Sequence, residues 1–467
     1  DYRMNVKWDR PNPPERELPS PPSPWIYVVL LVVLLLAGAV LTVVNWPKGQ
    51  PTMTKEFFGC IFLLPTLVWF FIGGFIYHTS YELNHLEAVS WNIQRWYYLM
   101  NRQRWARQTL AILASAAVTP EIDVAERMLG LEGSKPMNPD KTMVLPDLGT
   151  AVGESRLQKV LESLLTPMIG MISTATSKGT FDILVQSLKI EDGADLHRVW
   201  SKLKLPGTPK LHWSAHDSAF PAGDWIDSQQ MPDFRLVVAW QLRDAGQEPT
   251  FSEAATALLL ARPEALTLRK GKLKTQAYLY RPIVAEADAI DAGLENLLTR
   301  EQVPTARIKH FWLSRLDRMT RHASKEAIKD GGLSAVEHDL DHAIGKPGPV
   351  NAWLLQALAA EMVEHGQGAQ LIAAPVGNGV SFNLVGSEPA QISVPYDERL
   401  TYTVVSVPMT LGIIALAMLA MVALTSAPDD TTRLIIGIVA VLLIAATIGG
   451  DYMHRRNTEQ DFWGRHG

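Results

Sequence analysis

The sequence predicts an α/β domain carried between two membrane-spanning helical hairpins. Three observations lead there. Uncharged apolar runs occupy residues 25–46, 57–81, 401–428 and 434–450, the middle alternates helical stretches with short apolar strands, and cationic residues crowd one side of the runs. A helix needs about 20 apolar residues to cross roughly 30 Å of hydrocarbon. The first three runs exceed that length, and the fourth, of 17 residues, lies at its lower bound.

From the amino end, residues 1–24 form a proline-rich tail whose segment 11–24 (PNPPERELPSPPSP) cannot build a core and reads as an extended spacer. The hairpin at 25–81 follows, with Trp25 and Trp46 bracketing its first span as interface anchors. That span is too long for a cleaved signal peptide, and a second follows closely. Residues 82–129 read as a juxtamembrane helical neck in which Trp91, Trp96, Trp105, Tyr97 and Tyr98 interleave with Arg95, Arg102, Arg104 and Arg107. Such a neck belongs at the lipid headgroups or packed on the domain. The glycines and prolines of 130–156 mark a linker. The second hairpin covers 399–450, and the tail 451–467 opens with the anchor cluster Tyr452, His454, Arg455 and Arg456.

Arg3, Lys7, Arg10 and Arg16, the four neck arginines, and Arg455, Arg456 and Arg465 outnumber Lys48, Lys55 and Arg433 in the two hairpin loops. The positive-inside rule then places both tails and the domain in the cytoplasm, beneath an inner (plasma) membrane. No acidic, lysine or arginine residue lies at mid-span depth, which argues for anchoring over transport. Gly38, Gly73, Gly74, Gly412, Gly449 and Gly450 offer small faces for helix contact.

A net charge of -5 leaves no basic footprint for nucleic acid. The one cysteine, Cys60, sits inside the second span, so neither an intramolecular disulfide nor a cysteine metal site is expected. No phosphate-cradling G-x-x-x-x-G-K-[ST] loop and no G-x-G-x-x-G occur, and no cofactor is expected.

Within the middle, helices are expected at 157–164, 196–203, 285–300, 321–330 and 350–365. Strands are expected at 181–186, 234–242, 254–260, 276–280, 308–313, 370–373 and 381–385. Each half closes with an adjacent strand pair after a helix-rich unit, which suggests an internal duplication.

RLVVAWQL followed by FSEAATALLLARPEAL, then QAYLYRPI, IKHFWLSRLDR, DLDHAIGKPGPVNAWLLQALAAEMVEHGQ and LIAAPVGNGVSFNLVG, run in an order that resembles the thiolase-like fold of β-ketoacyl synthases. The resemblance covers about 157–386. It implies a duplicated α/β sandwich at 157–398, with halves at 157–266 and 273–386, and a homodimer whose contact neighbours 234–242. It also implies a cysteine nucleophile at a helix start in the first half and two histidines in the second. This chain departs at all three positions. No cysteine lies outside the membrane run, Ser314, Arg315 and Leu316 stand where a histidine-glycine-threonine turn belongs, and Gly345 and Lys346 replace a glycine-histidine pair. The fold is expected to survive without its chemistry. His310, Asp317, Lys346, Asn378 and Gly379 are the candidates for lining an inherited pocket.

Other motifs carry less. His338 and His342 in EHDLDH have metal-binding helical spacing, but a third ligand is missing, and a solvated polar helix end is expected. His212 and His216 repeat the spacing in a turn-rich stretch; Ser214, His216 and Asp217 draw a triad without a nucleophile elbow. Gly377, Asn378 and Gly379 read as a hairpin turn.

The expected function is a non-catalytic membrane-anchored scaffold or adaptor binding a partner protein, of the kind that loads a secreted effector in a bacterial secretion system. The alternatives are a membrane-bound enzyme on acyl chains or lipids using Lys346, His310 or Asp317, and a toxin-immunity membrane protein.

Overall fold

The computed structural model describes residues 8, 10–149, 153–208, 210–214, 220–228, 230–244, 246, 248–267, 273–391, 395–396, 398, 400, 407–426 and 429–466. His216 and Asp217 of the drawn triad, and Arg3 and Lys7, lie outside the described residues. The chain divides into two compact units, Gln103–Ile392 and Asp1–Arg102 with Ser393–Gly467.

Unit Gln103–Ile392 is built on eleven strands: β1 (Thr109–Val118), β2 (Phe181–Gln186), β3 (Lys210–Trp213), β4 (Phe234–Gln241), β5 (Ala254–Ala261), β6 (Ala277–Tyr280), β7 (Ile283–Ala285), β8 (Ile308–Leu313), β9 (Val336–Asp339), β10 (Ala369–Val376) and β11 (Gly379–Gly386). They pair in the order β3-β2-β4-β5-β1-β6-β11-β10-β8-β9, with β7 on β11. With β7 left out of the count, the order within each half is third, second, fourth, fifth, first, and it runs twice. In both halves the second to fourth strands are parallel and the fifth antiparallel. The two half-sheets join where β1 pairs antiparallel with β6, Thr109 opposite Tyr280.

Burial explains the strands. β5 (AATALLLA) is paired on both edges and buried along its whole length, so it carries an unbroken apolar run instead of alternation. The helix Asn351–Glu364 buries residues on all sides, which fits its uniform hydrophobicity, and it packs on strands of both halves. Apolar side chains of both halves meet around it in one core.

Several expectations need correction. The unit begins at Gln103 rather than 157. The neck at 82–129 is not one helical segment: Leu83–Ala106 and Val124–Leu129 are helices, but Thr109–Val118 between them is strand β1, at the join of the two half-sheets. Its alanines favour helix locally, but two paired edges overrule that preference. Residues 130–156 are no loose linker, because Thr142 bridges to Gly345 and the Asn138 amide donates to the His342 carbonyl at 2.7 Å. His212 lies on edge strand β3, paired parallel with β2. His338 lies on edge strand β9 and is 1% exposed, not on a solvated helix end, while His342 belongs to the next helix, Leu340–Ile344. β4 has both edges paired, so two strands separate it from the free edge of its half-sheet.

In the other unit, four helices are long and apolar enough to cross a membrane: Pro24–Asn45, Lys55–Ala106, Val407–Ser426 and Asp430–His466. The second includes neck residues 103–106, which fall in the α/β unit. Glycines set the close approaches. A Cβ on Gly74 would lie 2.8 Å from the Pro408 carbonyl oxygen and 3.2 Å from the Gly412 Cα, and one on Gly38 would lie 2.3 Å from the Pro65 ring. Gly449 and Gly450 meet nothing comparable. Of the expected interface residues, Trp25 is exposed at the first helix start, Trp46 meets Phe57 edge-on at 4.8 Å, and Trp96 meets Tyr396 at 5.2 Å. Arg455 and Arg456 are exposed. Trp91 is buried, because the proline-rich leader and the last helix cover it.

Candidate functional site

The two positions where the resemblance places histidines lie near one another in the second half, with the end of β4 between the halves. Ser314 follows β8, and Gly345 ends the helix Leu340–Ile344. Gly345 has φ +92°, and a Cβ there would fall 2.2 Å from the Lys141 carbonyl oxygen, so only glycine fits. Lys346 turns its side chain outward; its backbone amide donates to the Lys141 carbonyl at 2.7 Å, and its carbonyl accepts from the Ser252 amide at 2.8 Å. That lysine is a backbone clamp between segments.

Beneath the clamp a polar chain crosses between the halves. Gln241, the last residue of β4, donates through Nε2 to the Ser252 carbonyl at 2.7 Å and to Asn351 Oδ1 at 3.2 Å, and its Oε1 accepts from the Val350 amide at 2.9 Å. Asn351 Nδ2 donates to Ser314 Oγ at 2.9 Å. The Ser314 hydroxyl donates to Asp341, whose second oxygen accepts from the Arg315 amide at 2.9 Å and from Arg321 at 3.2 Å. Gly348 makes room, since a Cβ there would lie 2.3 Å from Gln241 Oε1. Gln241, Asn351 and Ser314 are at most 1% exposed.

Each member has its donor and acceptor occupied, as buried polar groups require. Burial pushes the Asp341 carboxyl up to about 6, against the opposing pull of the Ser314 and Arg315 hydrogen bonds. Ser314 has one acceptor for its proton, the Asp341 carboxyl, and no exposed face. Beyond the end of β4 lies a cavity of about 130 Å³ lined by Arg156, Lys189, Trp240 and Arg243. Ligand pockets for drug-sized molecules begin at roughly 300 Å³.

The structure does not bring the expected pocket residues together. His310 sits near the start of β8, four residues and roughly 13 Å of strand from Ser314. Its Nδ1 lies 2.9 Å from His338 Nε2, and the His338 ring lies tilted against Trp312 with centroids 4.9 Å apart. Burial, then the neighbouring His310 and Lys135, drive His338 down to about 3, so this imidazole is neutral. Asp317 is exposed and caps the helix Arg318–Asp330, accepting from the Met319 and Thr320 amides at 2.8 and 3.0 Å. Asn378 is an exposed turn residue, and Gly379 begins β11 opposite Val376, where a Cβ would lie 2.0 Å from the Ala285 carbonyl oxygen.

The expected positions Ser314 and Lys346 contact Asn351 and Ser252 respectively, and these two residues, with Gln241, were not expected from the sequence. Their signal was modest: one polar residue at the end of an apolar strand, and an asparagine opening an otherwise apolar helix after Gly345-Lys346-Pro347-Gly348.

The two halves also differ in the helices between their third and fourth strands. Between their third and fourth strands the second half carries Leu340–Ile344 and the fourteen-residue buried helix Asn351–Glu364. Among the described residues the first half has there only Ala222–Asp227, six residues long. No cysteine occurs in the unit.

No protein-family description and no curated protein matches this sequence. Solved structures do. An acyl-carrier protein in complex with its type II polyketide ketosynthase matches at 12% identity over 60% of this chain and 98% of that one, TM-score 0.44. The oxazolomycin ketosynthase domain of Streptomyces albus matches at 11% over 62% and 100%, TM-score 0.41. The 3-oxoacyl-[acyl-carrier-protein] synthase III of Aquifex aeolicus matches at 10% over 60% and 100%, TM-score 0.37. The α/β unit has a thiolase-like fold. The twice-run strand order carries that conclusion, and the likeness extends to fold alone.

Proposed function

We propose that this chain is a membrane-anchored, non-catalytic thiolase-like scaffold or adaptor whose α/β unit binds a partner protein. The observation that carries the reading is the closed chain Gln241–Asn351–Ser314–Asp341, which fills the place of a reacting centre with mutually satisfied, buried amide and hydroxyl groups. A nucleophile must reach its substrate, and Ser314, 1% exposed, is offered no access. The lack of any cysteine in the unit supports the same reading. The four long apolar helices support anchoring, and the arginine bias supports cytoplasmic placement of the unit in an inner membrane. A homodimer and a secreted effector as partner remain part of the proposal as its most specific form.

The test is direct. Purified full chain is incubated with acyl thioesters of several chain lengths, and covalent acylation and thiol release are followed. The expected result is neither. Thioester turnover that disappears in Ser314→Ala or Lys346→Ala would overturn the scaffold reading in favour of an enzyme. Reporter fusions at Gly130 and Gly386 are expected to report cytoplasm; an external signal from either would discard the orientation.

A further inference from the structure

We infer that the neck helix carries a binding site for an extended proline-rich peptide, filled here by the chain's own leader. This site lies wholly within unit Asp1–Arg102 and Ser393–Gly467 and is independent of the thiolase-like centre.

The neck residues Glu87, Trp91, Asn92 and Arg95 recur at helical spacing, with Arg102 further along. They read the leader's main chain. Trp91 Nε1 donates to the Pro14 carbonyl at 2.9 Å and Arg95 Nε to the Pro13 carbonyl at 2.9 Å. Arg102 donates to the Trp8 carbonyl at 2.6 Å and to Asn12 Oδ1 at 3.1 Å. Asn92 grips Arg16 from both sides, accepting from its amide at 2.9 Å and donating to its carbonyl at 2.8 Å. These are the groups a polyproline helix leaves unpaired, since it makes no internal hydrogen bonds.

Side chains add a direction and a register. The Arg16 guanidinium lies 4.0 Å over the Trp91 ring and pairs with Glu87. Leu18 packs on Val89, Ile93 and Leu400. The far side of Trp91 is closed by Phe462 of the last helix at 5.0 Å. Aromatic grooves that bind preformed polyproline segments use this chemistry. The ligand class is an extended peptide with two adjacent prolines and an arginine two positions on. The leader is thus a docked ligand, where the sequence suggested a spacer.

The experiment uses the full chain in lipid nanodiscs and a labelled synthetic peptide of residues 8–19. In the unaltered chain the tethered leader outcompetes free peptide through its high effective concentration. A chain with Pro13→Gly, Pro14→Gly and Arg16→Ala releases the leader and is expected to take up the peptide at least tenfold more tightly, read by fluorescence anisotropy. Adding Asn92→Ala is expected to weaken that uptake at least tenfold. Independently, trypsin is expected to cut after Arg16 in the unaltered chain at least tenfold more slowly than in Asn92→Ala, with cleavage inside the α/β unit unchanged. The site is refuted by equal uptake in the unaltered and released chains, by uptake insensitive to Asn92→Ala, or by an Arg16 cut at the rate of the free peptide.

Discussion

The two halves of the α/β unit share one strand order and differ in what crosses between their third and fourth strands. In the second half that crossover is Asn351–Glu364, buried on all sides against strands of both halves. In the first half the described part is the short Ala222–Asp227, which contributes one buried residue, Ala222. The contrast teaches that the duplicated sheet and one central helix suffice to hold this architecture. The short crossover only edges the core, packing Trp225 and Ile226 against it.

The sharpest way to break the comparison is to truncate a large side chain in each crossover. Trp353→Ala in the central helix removes a ring that is 3% exposed and hydrogen-bonded to Gln186 at 2.7 Å, and it is expected to cost about 3–5 kcal/mol in urea unfolding. Trp225→Ala in the short crossover removes a half-buried ring stacked on Trp353 at 5.5 Å, and about 1 kcal/mol is expected. Equal losses would show that both crossovers carry the core.

Next in size is the polar chain at the head of the central helix. Asn351→Ala strips partners from Gln241 and Ser314 while both stay buried, and about 1–3 kcal/mol is expected in the same measurement. A neutral outcome would mean that water replaces the amide, and that the centre is more open than its burial indicates.

The third prediction uses pH. Burial holds the folded-state Asp341 at about 6, above its usual 3.8. Its protonated form therefore adds stability that is fully present below about pH 4 and is lost as the pH rises through 6, by up to the order of 3 kcal/mol. His338, held down at about 3 from a usual 6.5, acts in the opposite sense: its contribution is present above pH 6.5 and is lost as the pH falls toward 3. Asp341→Asn is expected to remove the falling limb between pH 4 and 6 and leave the His338 limb in place. An unchanged profile in Asp341→Asn would assign the limb to another buried group, such as Glu361, which burial raises to about 7.

The smallest stability effect and the clearest chemical readout come from Ser314→Cys in a Cys60→Ser chain. With the position 1% exposed, the new thiol is expected to alkylate more than tenfold slower in the folded chain than in denaturant. Rapid alkylation would reopen the second half as a reacting centre.

Legibility followed the range of the interactions. The strand pairs β4/β5 and β10/β11 were readable because long apolar runs bounded by polar turns need little context. β3 and β9, four residues each, were not readable, being too short for periodicity and strands only because β2 and β8 lie beside them. β1 was misread for a different reason. Its alanines say helix, and only pairing with β5 and β6, both more than a hundred residues away, says strand. Ser314 and Lys346 were singled out by resemblance, whereas Gln241 reaches Asn351, and through it Ser314, only across 110 residues.

By itself the sequence determined the four apolar helices, the single cysteine and its place, and a duplicated α/β middle, because composition and periodicity act over a few turns or strands at a time. The tertiary structure alone decided that a leader of prolines lies against the neck helix and that Gln241, Asn351, Ser314 and Asp341 share one buried hydrogen-bond chain. Both outcomes depend on groups far apart in the chain meeting within about 3 Å, where hydrogen bonds form, and nothing local encodes such a meeting.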